Sequence, residues 1–102
     1  MANQNNGRGS PTRGWGAASS QRGRERHELL AKCGAKAFFD AKEEKFPVMP
    51  ALRYDNKCEY ACEGIQAAKN RACQYKYYDI AAKAQALGKR QCGFPPNQKI
   101  CK

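Results

Sequence analysis

Residues 58–92 read CEYACEGIQAAKNRACQYKYYDIAAKAQALGKRQC, and their spacing decides the fold. Ile65, Ala68, Ala72 and Tyr75 fall at i, i+3, i+7 and i+10, which puts a narrow apolar stripe along one side of a helix. Tyr77, Ile80, Ala81, Ala84 and Leu87 form a second stripe of the same kind. The pattern predicts helices over about 59–75 and 77–90, either joined by a tight turn or kinked at Lys76–Tyr78. Alanines on both stripes allow the two helices to approach closely. Asp79 falls near the start of the second helix, where its charge favours the helix dipole. Gly93-Phe94-Pro95-Pro96-Asn97 then ends helical structure and leaves a short extended tail to Lys102.

Upstream, Leu29, Leu30, Cys33, Ala37 and Phe38 recur at helical spacing, with Arg26, Glu28, Lys32 and Lys36 facing outward. They predict a first helix over about 21–39, with Ser20 as its N-cap and Gly34 as a weak point. Residues 40–57 (DAKEEKFPVMPALRYDNK) carry two prolines around Val48-Met49 and read as an extended loop that tucks Phe46 and Met49 against the core. The expected fold is therefore all-α: a small domain over 23–102 with about three helices. A long extended arm over 1–22 precedes it.

That arm differs sharply in composition. Residues 1–27 hold five arginines, one acid and no lysine, with glycines at Gly7, Gly9, Gly14, Gly16 and Gly23. Such a segment buries too little apolar surface to offset the entropy of ordering, and in isolation it is expected to be disordered. Trp15, between two glycines, is the one large aromatic and is expected to dock in a pocket.

The whole chain has 102 residues, with 19 Lys+Arg against 9 Asp+Glu, for a net charge of +10. This length suits one domain with a thin core and excludes a large enzyme scaffold. No apolar run approaches the roughly 18 residues of a membrane span. An excess of this size predicts an acidic or polyanionic partner. Residues 1–27 contain no Leu, Ile, Val or Phe, so they lack the apolar core of a secretory signal. Six cysteines in a chain this short nevertheless suit an oxidised, secreted scaffold, and the two observations conflict.

The cysteines are Cys33, Cys58, Cys62, Cys73, Cys92 and Cys101. Structural zinc is normally announced by two short Cys pairs. Cys58-x3-Cys62 has no second pair to answer it, and His27 is the only histidine, so no metal is expected. Disulfides suit an even count spread over every predicted element, and each would contribute about 2–4 kcal/mol to a thin core. Six cysteines allow 15 connectivities, among which sequence does not choose. Cys92 and Cys101 make a reasonable local pair around the Pro-Pro loop, whereas Cys58 and Cys62 would not bridge each other within a regular helix. Catalysis is not expected. A thiol nucleophile needs a base, His27 stands at the border of the arm, and no phosphate loop, serine-nucleophile motif or carboxylate pair occurs. No cofactor and no small-molecule substrate are expected either.

Two basic features remain. Arg8, Arg13, Arg22, Arg24 and Arg26, together with Trp15, are the candidate partner-binding residues; the Arg-Gly steps suit flexible contact with a charged backbone. Lys69, Lys76, Lys83 and Arg90 stand seven apart and would line one basic face if the helices were nearly continuous. Tyr75, Tyr77 and Tyr78 could stack on bases or serve as core. The plainer reading of the basic residues is a solvated face.

Gly14-Trp15-Gly16, the Arg24-Glu25-Arg26-His27-Glu28-Leu29 stretch, Cys33-Gly34 and Phe46-Pro47, followed by the C-x3-C and Ala/Lys-rich helices, resemble a family of small basic virion proteins of large nucleocytoplasmic DNA viruses of the chlorella-virus type. The resemblance covers about residues 7–92. It implies a minor capsid protein, not an enzyme, that lies beneath or between major capsid capsomers and contacts the major and other minor capsid proteins. It also implies assembly in the host cytoplasm by viruses that encode thiol oxidases, which would reconcile many cysteines with no secretory signal. Where the resemblance would place further cysteines, near positions 37 and 49, this chain has Ala37 and Met49, so no pairing carries over. The alternative expectation is a basic virion protein that binds and packages DNA; contact with a membrane is left open.

Overall fold

In the computed structural model, which describes Thr12, residues 14–95 and residues 99–101, the stretch 58–92 forms a helical hairpin: α3 (Cys62–Gln74) and α4 (Tyr78–Cys92), after α1 (Trp15–Ala18) and α2 (Arg24–Cys33). Both apolar stripes pack inward. Ile65, Ala68 and Ala72 of α3 meet Ala81, Ala84 and Leu87 of α4 in one cluster, which Phe46, Val48 and Phe94 complete. The expected helices over 59–75 and 77–90 are present, and the junction is a tight turn.

Its geometry is a helix-terminating motif built on a lysine. The Lys76 N–H donates to the Cys73 carbonyl (3.1 Å) and the Tyr77 N–H to that of Ala72 (2.8 Å), with Lys76 at φ 63. Glycine usually takes this left-handed position. The chain reverses there, so Tyr75 and Tyr77, read above as the ends of apolar stripes, are instead 53% and 46% exposed.

The all-α expectation is corrected over residues 34–47. Gly34 has φ 84 and ψ −176, a backbone that cannot continue a helix, and α2 stops at Cys33 rather than near Phe39. One 3₁₀ turn (Ala35–Ala37) leads into a two-stranded antiparallel sheet, β1 (Phe38–Asp40) and β2 (Lys45–Pro47), with Phe38 opposite Pro47 and Asp40 opposite Lys45. Helical spacing at Ala37 and Phe38 did correctly mark burial, because both face the core. Aromatic Phe38-Phe39 suits a strand once a glycine has broken the helix. Ser20 does not cap α2; Gly23 holds the N-cap position, and the Ser20 hydroxyl is buried with no partner among the described residues.

The short sheet ties two cores together. Val48 accepts from the Ala61 N–H (2.9 Å) ahead of α3 and donates to the Ala37 carbonyl (2.8 Å). Leu29, Cys33, Ala37, Phe38 and Met49 form a second cluster beneath α2. Phe46 and Met49 are buried as expected, and Ala37 and Met49 share this second cluster.

All six cysteines pair, and the local Cys92–Cys101 pair is corrected. Cys33 joins Cys58, Cys62 joins Cys92, and Cys73 joins Cys101. Each bridge closes between 25 and 30 residues. Cys62–Cys92 locks the open end of the α3–α4 hairpin, Cys73–Cys101 holds the tail on α3, and Cys33–Cys58 fastens α2 to the loop before α3. No thiolate is left among them to hold a metal. No helix of the described residues is long and apolar enough to cross a membrane.

Candidate functional site

Residues 14–22, expected as part of an extended arm, are instead built onto the body. The Trp15 ring lies over Gly64 of α3, so close that a Cβ on that glycine would stand 2.6 Å from the indole. Ala51 donates its N–H to the Ala18 carbonyl (2.8 Å). The Arg53 guanidinium spans the same segment: Nη1 donates to Ala17 O (3.0 Å), Nη2 to Ser19 O (3.2 Å) and Nε to Glu25 Oε2 (2.9 Å). That bond, together with one from the Gln21 N–H, holds the Glu25 carboxyl below the ordinary carboxylate value. The tryptophan, half-buried, packs against its own chain on Gly64 of α3. Arg8 and Arg13 lie outside the described residues.

Trp15 borders a cleft of about 420 Å³. Four cations line it: Arg22 and Arg26 from the segment around the start of α2, Lys45 from β2, and Arg71 from α3. No carboxylate is among the described residues that line it. Arg26 is held in place by its own chain, donating from Nε to Ser20 O (3.2 Å) and from Nη1 to Glu44 O (2.9 Å). Its partner is the backbone of Glu44, whose carboxylate turns instead to His27 Nδ1 (3.2 Å). Burial, and then the like charges of Arg22 and Arg71, hold the Arg26 guanidinium below its ordinary value, with Glu44 opposing. Arginine stays charged in proteins, so the direction reports mainly the partial burial of the guanidinium and, after it, the two neighbouring cations.

The walls are aromatic. Tyr75 and Tyr77 approach to 6.2 Å between ring centres, Phe46 meets Tyr77 edge-on at 6.0 Å, and the Arg71 guanidinium lies 5.8 Å over the Tyr75 ring. Phe46 takes φ 60 within β2, a backbone that bulky side chains rarely adopt. The chemistry on offer is recognition of an anion that also carries a flat, apolar surface.

Of the sequence candidates, Arg22, Arg26 and Trp15 come together here. Arg24 does not; it is exposed and pairs with Glu28 one turn along α2 (3.1 Å). The basic face over Lys69, Lys76, Lys83 and Arg90 is corrected, because the hairpin breaks the seven-residue repeat. Lys69 is 3% exposed, and burial lowers its ammonium pKa from the ordinary value. Lys76 occupies the turn, while Lys83 and Arg90 are exposed on α4. Sequence reasoning missed Lys45, Arg53 and Arg71. Arg71 and Tyr75 stand four apart on a helix and carry a legible pairing signal; nothing local marks Lys45 or Arg53.

On the other side of Trp15, a smaller pocket of about 230 Å³ is lined by Asp55, Glu59 and Glu63 beside Tyr54 and Tyr60. The indole therefore borders a basic cleft and an acidic hollow. No protein family, curated protein or solved structure matches this chain. The chemistry of the site is read from its own residues.

Proposed function

We propose that the chain is a structural minor capsid protein, a cement of a large icosahedral DNA virus, that links neighbouring capsid subunits through its basic N-terminal arm. It assembles into the virion in the host cytoplasm, with the major capsid protein and other minor capsid proteins as partners. The observation that carries the reading is the clamp at the arm's root. Trp15 on Gly64, the Ala51–Ala18 hydrogen bond and the three-pronged Arg53 fasten residues 15–19 to the body. A tether between subunits transmits load only if its root is fastened to something rigid, and here the root meets a body closed by three disulfides. Arg8 and Arg13 then meet acidic surfaces of the neighbours, in keeping with the charge of +10.

Because residues 14–22 belong to the body, the truncation that tests this reading removes residues 1–13 alone. The shortened chain should keep its helical circular dichroism and its three disulfides, yet fail to enter particles. Normal incorporation would overturn the tether. The alternative is a basic virion protein that binds and packages DNA; it rests on the charge of +10 and predicts DNA binding that weakens steeply with salt.

A further inference from the structure

We infer that the cleft bordered by Trp15, Arg26, Arg71 and Tyr75 is a binding site for a nucleotide unit of single-stranded nucleic acid. The site differs in kind from a solvated basic surface. Its guanidiniums come from separate elements: Arg26 from α2 and Arg71 from α3, with Arg22 between α1 and α2. Arg26 is oriented by two backbone carbonyls and pairs with no carboxylate among the described residues, so it meets an incoming anion already positioned. Guanidinium forks match phosphate oxygens in pairs.

The aromatic groups narrow the choice of anion. An acidic peptide would need only the cations. Here Tyr75 is 53% and Tyr77 46% exposed beside them, so both offer ring surface within the cleft. Exposed rings next to phosphate-binding cations are the arrangement that stacks unpaired bases while holding the backbone. A duplex keeps its bases stacked on one another and cannot offer them. A volume of about 420 Å³ falls within the range of ordinary ligand sites, ~300–1,000 Å³. The inference stands apart from the tether: variants of the cleft leave residues 1–13 in place, and truncation of residues 1–13 removes none of the residues that line the cleft.

Trp15 is the only tryptophan of the chain and lies at the cleft wall, so its fluorescence reports on the site. The full-length oxidised chain is titrated with a short oligothymidylate. The expected result is saturable quenching, weakened at least about fivefold by Tyr75→Ala through loss of stacking. Arg71→Ala should weaken binding and flatten the log–log salt dependence by about 0.7. Both side chains are exposed, and an unchanged melting temperature confirms that each variant is folded. Lys83→Ala, an exposed cation outside the cleft, should leave the affinity within about twofold. Equal loss in Lys83→Ala would mean diffuse attraction and would overturn the site. So would equal affinity for inorganic polyphosphate, poly-glutamate or duplex DNA, which lack free bases. Equal affinity for thymidine monophosphate would assign the cleft to a free nucleotide and overturn the strand, and absence of quenching would overturn the inference outright.

Discussion

Gly64 shows how one missing side chain can place a segment. Its hydrogen stands where the indole of Trp15 needs room, and a methyl there would lie 2.6–2.7 Å from two ring carbons. Gly64→Ala should force the ring out, cost about 1–3 kcal/mol in urea unfolding, and shift Trp15 emission to the red. Lys69 raises a different question at the same scale. Its ammonium has a lowered pKa because burial disfavours the charged form, so the penalty is fully present below the folded pKa. Between that value and the ordinary 10.5, the unfolded chain binds more protons, and stability rises with pH. Lys69→Met, of similar length, should melt higher than the parent at pH 7, and the difference should shrink as pH approaches 10.5. An undiminished difference would show that packing, not charge, separates the two. Neither effect is visible in the sequence: Lys69 stands at a spacing that reads as an exposed basic stripe, and nothing local ties Gly64 to Trp15.

At the scale of elements, the α3–α4 turn was half legible. Periodicity located the junction at Lys76–Tyr78, because two stripes with different phases cannot belong to one straight helix. It did not show a reversal, since the usual marker, a glycine, is absent. The chain makes the motif with Lys76 at φ 63, a backbone that costs an ordinary side chain about 1–2 kcal/mol. Lys76→Gly should therefore stabilise the protein by about 1 kcal/mol, read as a higher denaturant midpoint at unchanged slope. The hairpin of β1 and β2 was not legible. Three-residue strands are too short for alternation to register, and β1 overlaps the end of a helical pattern that Gly34, at φ 84, interrupts, while β2 lies in a stretch that reads as a loop. The cleft depends on that hairpin, which brings Lys45 and Phe46 against α3.

For the whole molecule, cross-linking holds two small cores in register. Cys33–Cys58 fastens the cluster around Leu29 and Met49, while Cys62–Cys92 and Cys73–Cys101 border the cluster around Ile65 and Leu87. Three bridges make the oxidised chain lighter than the reduced one by about 6 Da, two hydrogens per bridge, which intact-mass measurement with and without reductant reads directly. Replacing Cys62 and Cys92 together by alanine frees a loop of about 30 residues and should cost about 3–4 kcal/mol. For a domain this size that is a large share of the total stability. The variant should retain helical signal but melt far lower; an unchanged melting temperature would mean that packing alone holds the hairpin closed.

The sequence by itself determined the two long helices, the buried stripes of Ile65 and Ala81, the burial of Phe46 and Met49, and the charge of +10. These follow from patterns that repeat over a few residues, or from composition, and need no knowledge of what lies across the fold. Tertiary structure alone decided which cysteines pair, that the Trp15 segment returns to its own body, that Lys69 is buried, and that Arg22, Arg26, Lys45 and Arg71 share one cleft. Each of these joins residues distant in the chain, and such proximity is set by the packing of whole elements rather than by any local preference.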